Sequence, residues 1–224
     1  MGLPKLNNVP KYKIKVPSTN QEITYRPFLV KEEKILLTAM EDGSEKTISN
    51  AVNQIIKNCV QGNIKVKELP TFDIEYLFLR LRAKSVGEKV TIGLKPYPCS
   101  QNQGEICNNS TEVEINLEEV KVVKNEKHTT KIMLDDNVGI KMSYPDLSIL
   151  GQKNTDVESG LKLIKDSIEM IFTNEETFDR SSFTQKELDE FFDSLTTDQF
   201  AKIKDFFDTM PVLKHTVKYK CATC

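Results

Sequence analysis

The chain has 224 residues, 38% of them apolar and 29% charged, with a net charge of only −2. That length suits one large domain or two small ones, and the balanced charge supplies no field to draw in DNA or an anionic membrane. No apolar run approaches the roughly 20 residues of a membrane span, and the N-terminus lacks the apolar stretch of a secretory signal, so the reading is a protein made and kept in the cytosol.

The first regular pattern is Tyr12-Lys13-Ile14-Lys15-Val16, which alternates in the strand period. Turn chemistry at Pro17-Ser18-Thr19-Asn20 separates it from a second alternating run, Glu22 to Arg26, so a β-hairpin is expected. Residues 29–41 read as a helix. Ile35, Leu36 and Ala39 share a face with Val30 and Met40, while Lys31, Glu32, Glu33 and Lys34 point out. Asp42-Gly43 stops it. A second amphipathic helix runs from Ser44 to Val60, with Ile48, Val52, Ile55, Ile56 and Cys59 at helical spacing and Gly62 beyond its end. Cys59 is then a core residue, since a free thiol packs as a small hydrophobe.

A third helix opens at residues 69–73. Phe72, Tyr76, Leu79 and Ala83 form one stripe, and Ile74, Leu77, Phe78 and Leu81 add a second apolar side, which places this helix centrally. Arg80, Arg82 and Lys84 interrupt it as a solvated stripe or a binding face. The period then changes to that of strands over 88–95 and 111–117, joined by the turn-rich PYPCSQNQGEICNNS. Two more strands, Lys131 to Leu134 and Gly139 to Ser143, flank the turn Asp135-Asp136-Asn137.

From Tyr144 the pattern reads as helical. Val157, Leu161, Ile164, Ile168 and Ile171 form a stripe, Thr184 with Glu187 forms a capping box ahead of Leu188 and Phe191, and another helix starts at Thr197 and closes at Pro211. Phe191 and Phe192, and Phe206 and Phe207, are adjacent pairs that cannot share one stripe. One of each, Phe192 and Phe207 being the candidates, either meets a partner or fills a second packing layer. Residues 214–220 alternate as a final strand.

The expected fold is therefore α+β: a mostly helical body with an N-terminal β-hairpin and an inserted β-rich, zinc-ribbon-like unit closed by the C-terminal strand. The divisions are 1–87 for the hairpin and first helices, 88–143 for the β-rich unit, 144–213 for the C-terminal helices, and 214–224 for the strand that returns to the ribbon.

Cys99, Cys107, Cys221 and Cys224 lie at the expected tips of β-strands. A seven-residue spacer in one loop and a two-residue spacer in another can deliver four thiolates to one tetrahedral zinc at about 2.3 Å. Such a site leaves no coordination position for substrate, so the zinc would be structural. His215 is a spare ligand candidate. Scattered free thiols are the alternative. The remaining chemistry does not suggest an enzyme. His128 and His215 sit in no nucleophile motif, and neither a G-x-S-x-G elbow nor a phosphate-binding glycine loop is present.

The stretches TYRPFLVKEEKILLTAME, TFDIEYLFLRLRAKSVGE and VKYKCATC resemble the T4-type bacteriophage baseplate hub subunit family of contractile-tailed phages, over roughly residues 12–224. The resemblance implies a virion protein of the tail baseplate with no enzymatic activity, built into or required for the hub near the tape-measure protein and central spike. Partners would be other hub and tail proteins, with the tape-measure protein a further candidate and an oligomer within the baseplate left open; no nucleic acid or membrane is implied. Members of the family continue past the final cysteine with a further strand and an apolar tail, so this chain is expected to lack that segment. Two alternatives stand beside the structural role: a transient assembly chaperone for the hub or tape measure, and a zinc-ribbon nucleic-acid binder, for which Lys218 and Lys220 speak and Glu105, Glu112 and Glu114 speak against.

Overall fold

Alternation in the first residues gives β1 (Tyr12–Lys15) and β2 (Glu22–Tyr25), an antiparallel hairpin with Tyr12 opposite Tyr25 and Lys15 opposite Glu22. Its turn holds Asn20 at φ 56, a left-handed conformation that asparagine tolerates. These coordinates come from a computed structural model, which describes residues 8–62, 64–94, 111–146 and 157–219. Within them the chain forms a mixed α/β fold of six α-helices and several small antiparallel sheets, packed around two hydrophobic cores.

The first core lies between the hairpin and three helices: α1 (Val30–Asp42), α2 (Glu45–Cys59) and α3 (Thr71–Val86). Gly43, at φ 68, ends α1 in a left-handed cap and donates its N–H to Ala39 O. Ser44 then starts α2 by accepting the Thr47 N–H at 3.1 Å. The inward stripe of α2 is Ala51, Ile55, Ile56 and Cys59. Ile55 and Ile56 are fully buried, which stabilises the fold by roughly 1.5–3 kcal/mol each. A two-residue strand, β3 (Val60–Gln61), follows α2 directly and adds to the hairpin beside β2. As expected, α3 is central, burying Phe72, Ile74, Leu77, Leu81 and Ala83.

The orientation of α1 differs from the expected one. Val30 and Met40 are 67% and 62% exposed, whereas Glu32 is fully buried. Ala39 remains the inward residue, and Ile35 and Leu36 are half-buried. The cause is electrostatic. Arg26, just past β2, needs a carboxylate at the start of α1, and Glu32 supplies it while also accepting the Leu29 N–H at 2.9 Å.

Beyond α3, β4 (Lys89–Leu94) and β5 (Thr111–Asn116) pair antiparallel from Lys89 opposite Asn116 to Leu94 opposite Thr111. This is the described part of the β-rich unit. The next strand, β6 (Lys121–Val123), pairs with β11 (Val212–Lys214) near the end of the chain. That ladder begins earlier than the strand expected over 214–220, and it is short because β6 ends at a turn in which Asn125 accepts the Lys127 N–H. Residues 215–219 extend past it without a ladder.

The second core lies under a four-stranded antiparallel sheet, order β10-β9-β8-β7. Its strands β7 (Lys131–Met133) and β8 (Val138–Met142) form the hairpin expected around Asp135, whose carboxylate accepts the N–H groups of Asn137 and Val138 at 2.8 Å each. The other two strands, β9 (Ile168–Thr173) and β10 (Thr177–Asp179), were expected to lie in helical sequence. Only the first part of that stripe is helical, as α4 (Val157–Asp166). Ser167 ends it by donating its hydroxyl to Leu163 O at 2.9 Å, and Ile168 then enters the sheet opposite Met142. The C-terminal helices α5 (Gln185–Asp193) and α6 (Thr197–Thr209) cover the sheet with Leu188, Phe192, Ile203 and Phe206. Each opens on a capping box, Thr184 with Glu187 and Thr196 with Gln199.

Candidate functional site

Cys99, Cys107, Cys221 and Cys224 lie outside the described residues. What is described is the strand pair on either side of the Cys99 and Cys107 segment, in which Leu94 pairs with Thr111. Among the described residues no group of three or more His, Cys, Asp or Glu is placed to hold a metal ion. His215 is half-buried, just past β11. Phe192 faces the second core at 9% exposure, and Phe207 packs half-buried at its margin, edge-on to Phe206 at 5.1 Å between ring centroids. Cys59 sits in the first core, where burial pushes its thiol up to about 11.

The polar residues of α3 hold neighbouring turns. Arg80 donates to Leu117 O at 3.0 Å and to Val120 O at 2.8 Å, clamping the turn between β5 and β6. Lys84 bridges Glu88 and Glu118 at 2.5 and 2.6 Å. Asp73 is fully buried and accepts both the N–H and the hydroxyl of Ser18, tying α3 to the β1–β2 turn. Burial raises its carboxyl above the ordinary range, more than the Ser18 hydrogen bonds lower it. Helical spacing alone carried no signal for the Arg80, Glu118 and Ser18 contacts, because those partners are distant in sequence.

His128 packs beside Tyr144 and Phe206 at the second core. The hydroxyl of Thr209 donates to Asp205 O at 2.6 Å, so its oxygen is free to accept from His128 Nδ1 at 3.0 Å. The neutral ring then accepts the Tyr144 hydroxyl at Nε2, 2.9 Å away. His128 and Phe206 both lie against Tyr144, which meets Phe72 of α3 edge-on at 5.2 Å. Burial lowers the His128 pKa. Thr71 N–H donates to Pro145 O and Lys124 to Pro17 O, each at 3.0 Å.

The surface left for other molecules is partly apolar. Leu29, Val30, Leu37 and Met40 are exposed around α1. Ile92 on β4 is 44% exposed. The sequence reading assigned Val30 and Met40 to the core, so it missed this face; the signal that could have exposed it is Glu32, placed three residues after Leu29 as a helix-capping acid is.

These features define a mixed α/β protein in which Arg26, Asp73, Arg80 and Lys84 hold its own turns and helix ends, with apolar surface left around α1. The chain belongs to the family described as T4 bacteriophage base plate protein, whose model matches residues 9–224. It is 27% identical over 214 residues to the baseplate hub assembly protein gp26 of Enterobacteria phage T4, an alignment covering 96% of this chain and 90% of that relative. This is a baseplate family, not an enzyme family. No solved structure matches the chain.

Proposed function

We propose that this protein builds the baseplate hub of a contractile phage tail through protein–protein contacts and catalyses no reaction. The observation that carries the reading is the near full-length match to a hub assembly protein, which leaves no large region unaccounted for. Its partners are other hub and tail proteins, including the tape-measure protein, and it works as a component of a larger oligomer. The test is a phage lacking this gene product. Tails without assembled hubs, restored by the full chain supplied in trans, are expected; normal baseplates in its absence overturn the reading.

One observation favours a second form of the same role. The exposed apolar face of α1 suits a protein that holds a partner and then leaves it. Mass spectrometry of purified tails separates the two: stoichiometric copies mean a resident component, and absence from tails that required the protein means a transient chaperone.

A structural zinc ion held by Cys99, Cys107, Cys221 and Cys224 belongs to this proposal. Four thiolates suit zinc, and the Leu94–Thr111 pairing supports a closed loop between the first two. Metal analysis of the purified chain is expected to give one zinc, lost in Cys99→Ser and Cys221→Ser. Full metal content in both variants overturns it.

A further inference from the structure

Asn50, Asn53, Gln54 and Lys57 form one stripe of α2 at positions i, i+3, i+4 and i+7. They floor two open clefts that meet at Asn50 and Gln54. One, of about 520 Å³, is walled by residues 64–68; the other, of about 400 Å³, is walled by α1 through Lys34, Ile35 and Thr38. Together they make a trough across the outer side of α2.

Its charge is predominantly of one sign. Lys34, Lys57 and Lys67 have no ion pair among the described residues, and Glu68, the carboxylate on its wall, is taken by Lys65 at 2.9 Å. Its floor is rich in amides. The Asn53 Oδ1 is buried and has no hydrogen-bond partner among the described residues, which leaves an acceptor in want of a donor.

We propose that this trough binds an extended, acidic segment of a partner polypeptide. Side-chain amides pair with free backbone N–H and C=O groups, which an extended chain offers and a helix keeps for itself. Three uncompensated lysines select carboxylates. The span from Asn50 to Lys57 is about 10 Å of helix axis, which accommodates about three extended residues, with more along the α1 side. The inference rests on the baseplate reading only for the partner being a tail protein; the binding itself is a property of the isolated chain.

The test titrates the purified full-length chain with a fluorescent short peptide of alternating Glu and Leu, with a Lys and Leu counterpart, and with a short single-stranded DNA. Saturable binding of the acidic peptide alone is expected. The Lys57→Glu, Lys67→Glu double variant, altered only at exposed positions, is expected to bind it at least about tenfold more weakly while melting at the same temperature. Asn53→Leu is expected to weaken it as well. Absence of saturable binding, equal binding by the double variant, or binding of the DNA as tight as that of the acidic peptide overturns the proposal. A null titration leaves the hub-building role standing. Normal baseplates in phage lacking the protein defeat that role without touching the titration.

Discussion

Arg26 and Glu32 form an ion pair at 3.0 Å in which the carboxylate is fully buried and the guanidinium nearly so. The same guanidinium donates to Pro27 O at 2.9 Å and to Asn58 O at 3.1 Å, so one side chain links the end of β2, the start of α1 and the end of α2. Burial alone would raise the Glu32 carboxyl. The hydrogen bonds from Arg26 and Leu29, with the Arg26 charge, outweigh it and hold the group below the usual carboxylate range.

Removing this charge strands a desolvated cation at the start of α1. Glu32→Gln is expected to cost about 3 kcal/mol in urea unfolding at neutral pH. Because the folded-state pKa is depressed, the stabilisation is complete above the unfolded value and is lost as pH falls through the folded one. The gap between wild type and Glu32→Gln should therefore shrink on acidification. A gap independent of pH would show that packing, not charge, sets the cost.

His128 carries a second acid-sensitive contribution. Burial lowers its pKa, so the neutral ring is favoured in the folded state. Its contribution is present above the unfolded value near ~6.5 and lost as pH falls through the lower folded value. Protonation at Nε2 also reverses the hydrogen bond with Tyr144, so that the Tyr144 oxygen must accept. Thermal melts of wild type should lose stability from about pH 6.5 downward, and His128→Gln should flatten that slope. An unchanged slope would assign it to other groups.

Gly139 is a packing requirement of the sheet. A Cβ placed there would run into the ring of Phe172 directly opposite on β9, with Met133 Sδ only 3.0 Å away. Gly139→Ala is expected to destabilise by about 1–3 kcal/mol. Phe172→Leu in the same chain should recover part of that loss, since it shortens the obstructing side chain. Additive losses in the double variant would place the strain in the backbone.

Legibility in the sequence followed the range of the interactions. The stripe of α2, the Thr184–Glu187 box and the Asp135 turn were readable because each is closed within one or two helical turns or a single hairpin. Ile164, Ile168 and Ile171 satisfy a helical period, but Ile168, Met170 and Phe172 satisfy a strand period equally well, and pairing with β8 decides between them. Glu32 read as solvent-facing because its partner, Arg26, lies outside the helix. Arg80 read as a solvated or binding residue because the carbonyls it clamps are 37 and 40 positions away. For the cysteine site the expected strands β4 and β5 are present, while the sulfurs lie beyond the described residues.

The adjacent phenylalanines give the sharpest contrast between packing and contact. Phe192 is 9% exposed, meets Phe191 and Phe200 edge-on, and lies beneath the Lys165 ammonium, 5.3 Å from its ring centroid. Phe192→Ser removes this ring and sets a hydroxyl in its place, so a loss of about 3–5 kcal/mol is expected. Phe207 is half-buried and rests on Phe206 from the outside. Phe207→Ser should cost less, because solvent already covers part of the ring and can fill the space it leaves. Urea unfolding of both variants measures the difference, and hub assembly in phage carrying each one gives the second readout. A Phe207→Ser chain that keeps most of its stability yet fails to build hubs would make that ring a partner contact. Equal stability losses in the two variants would make both rings parts of one core.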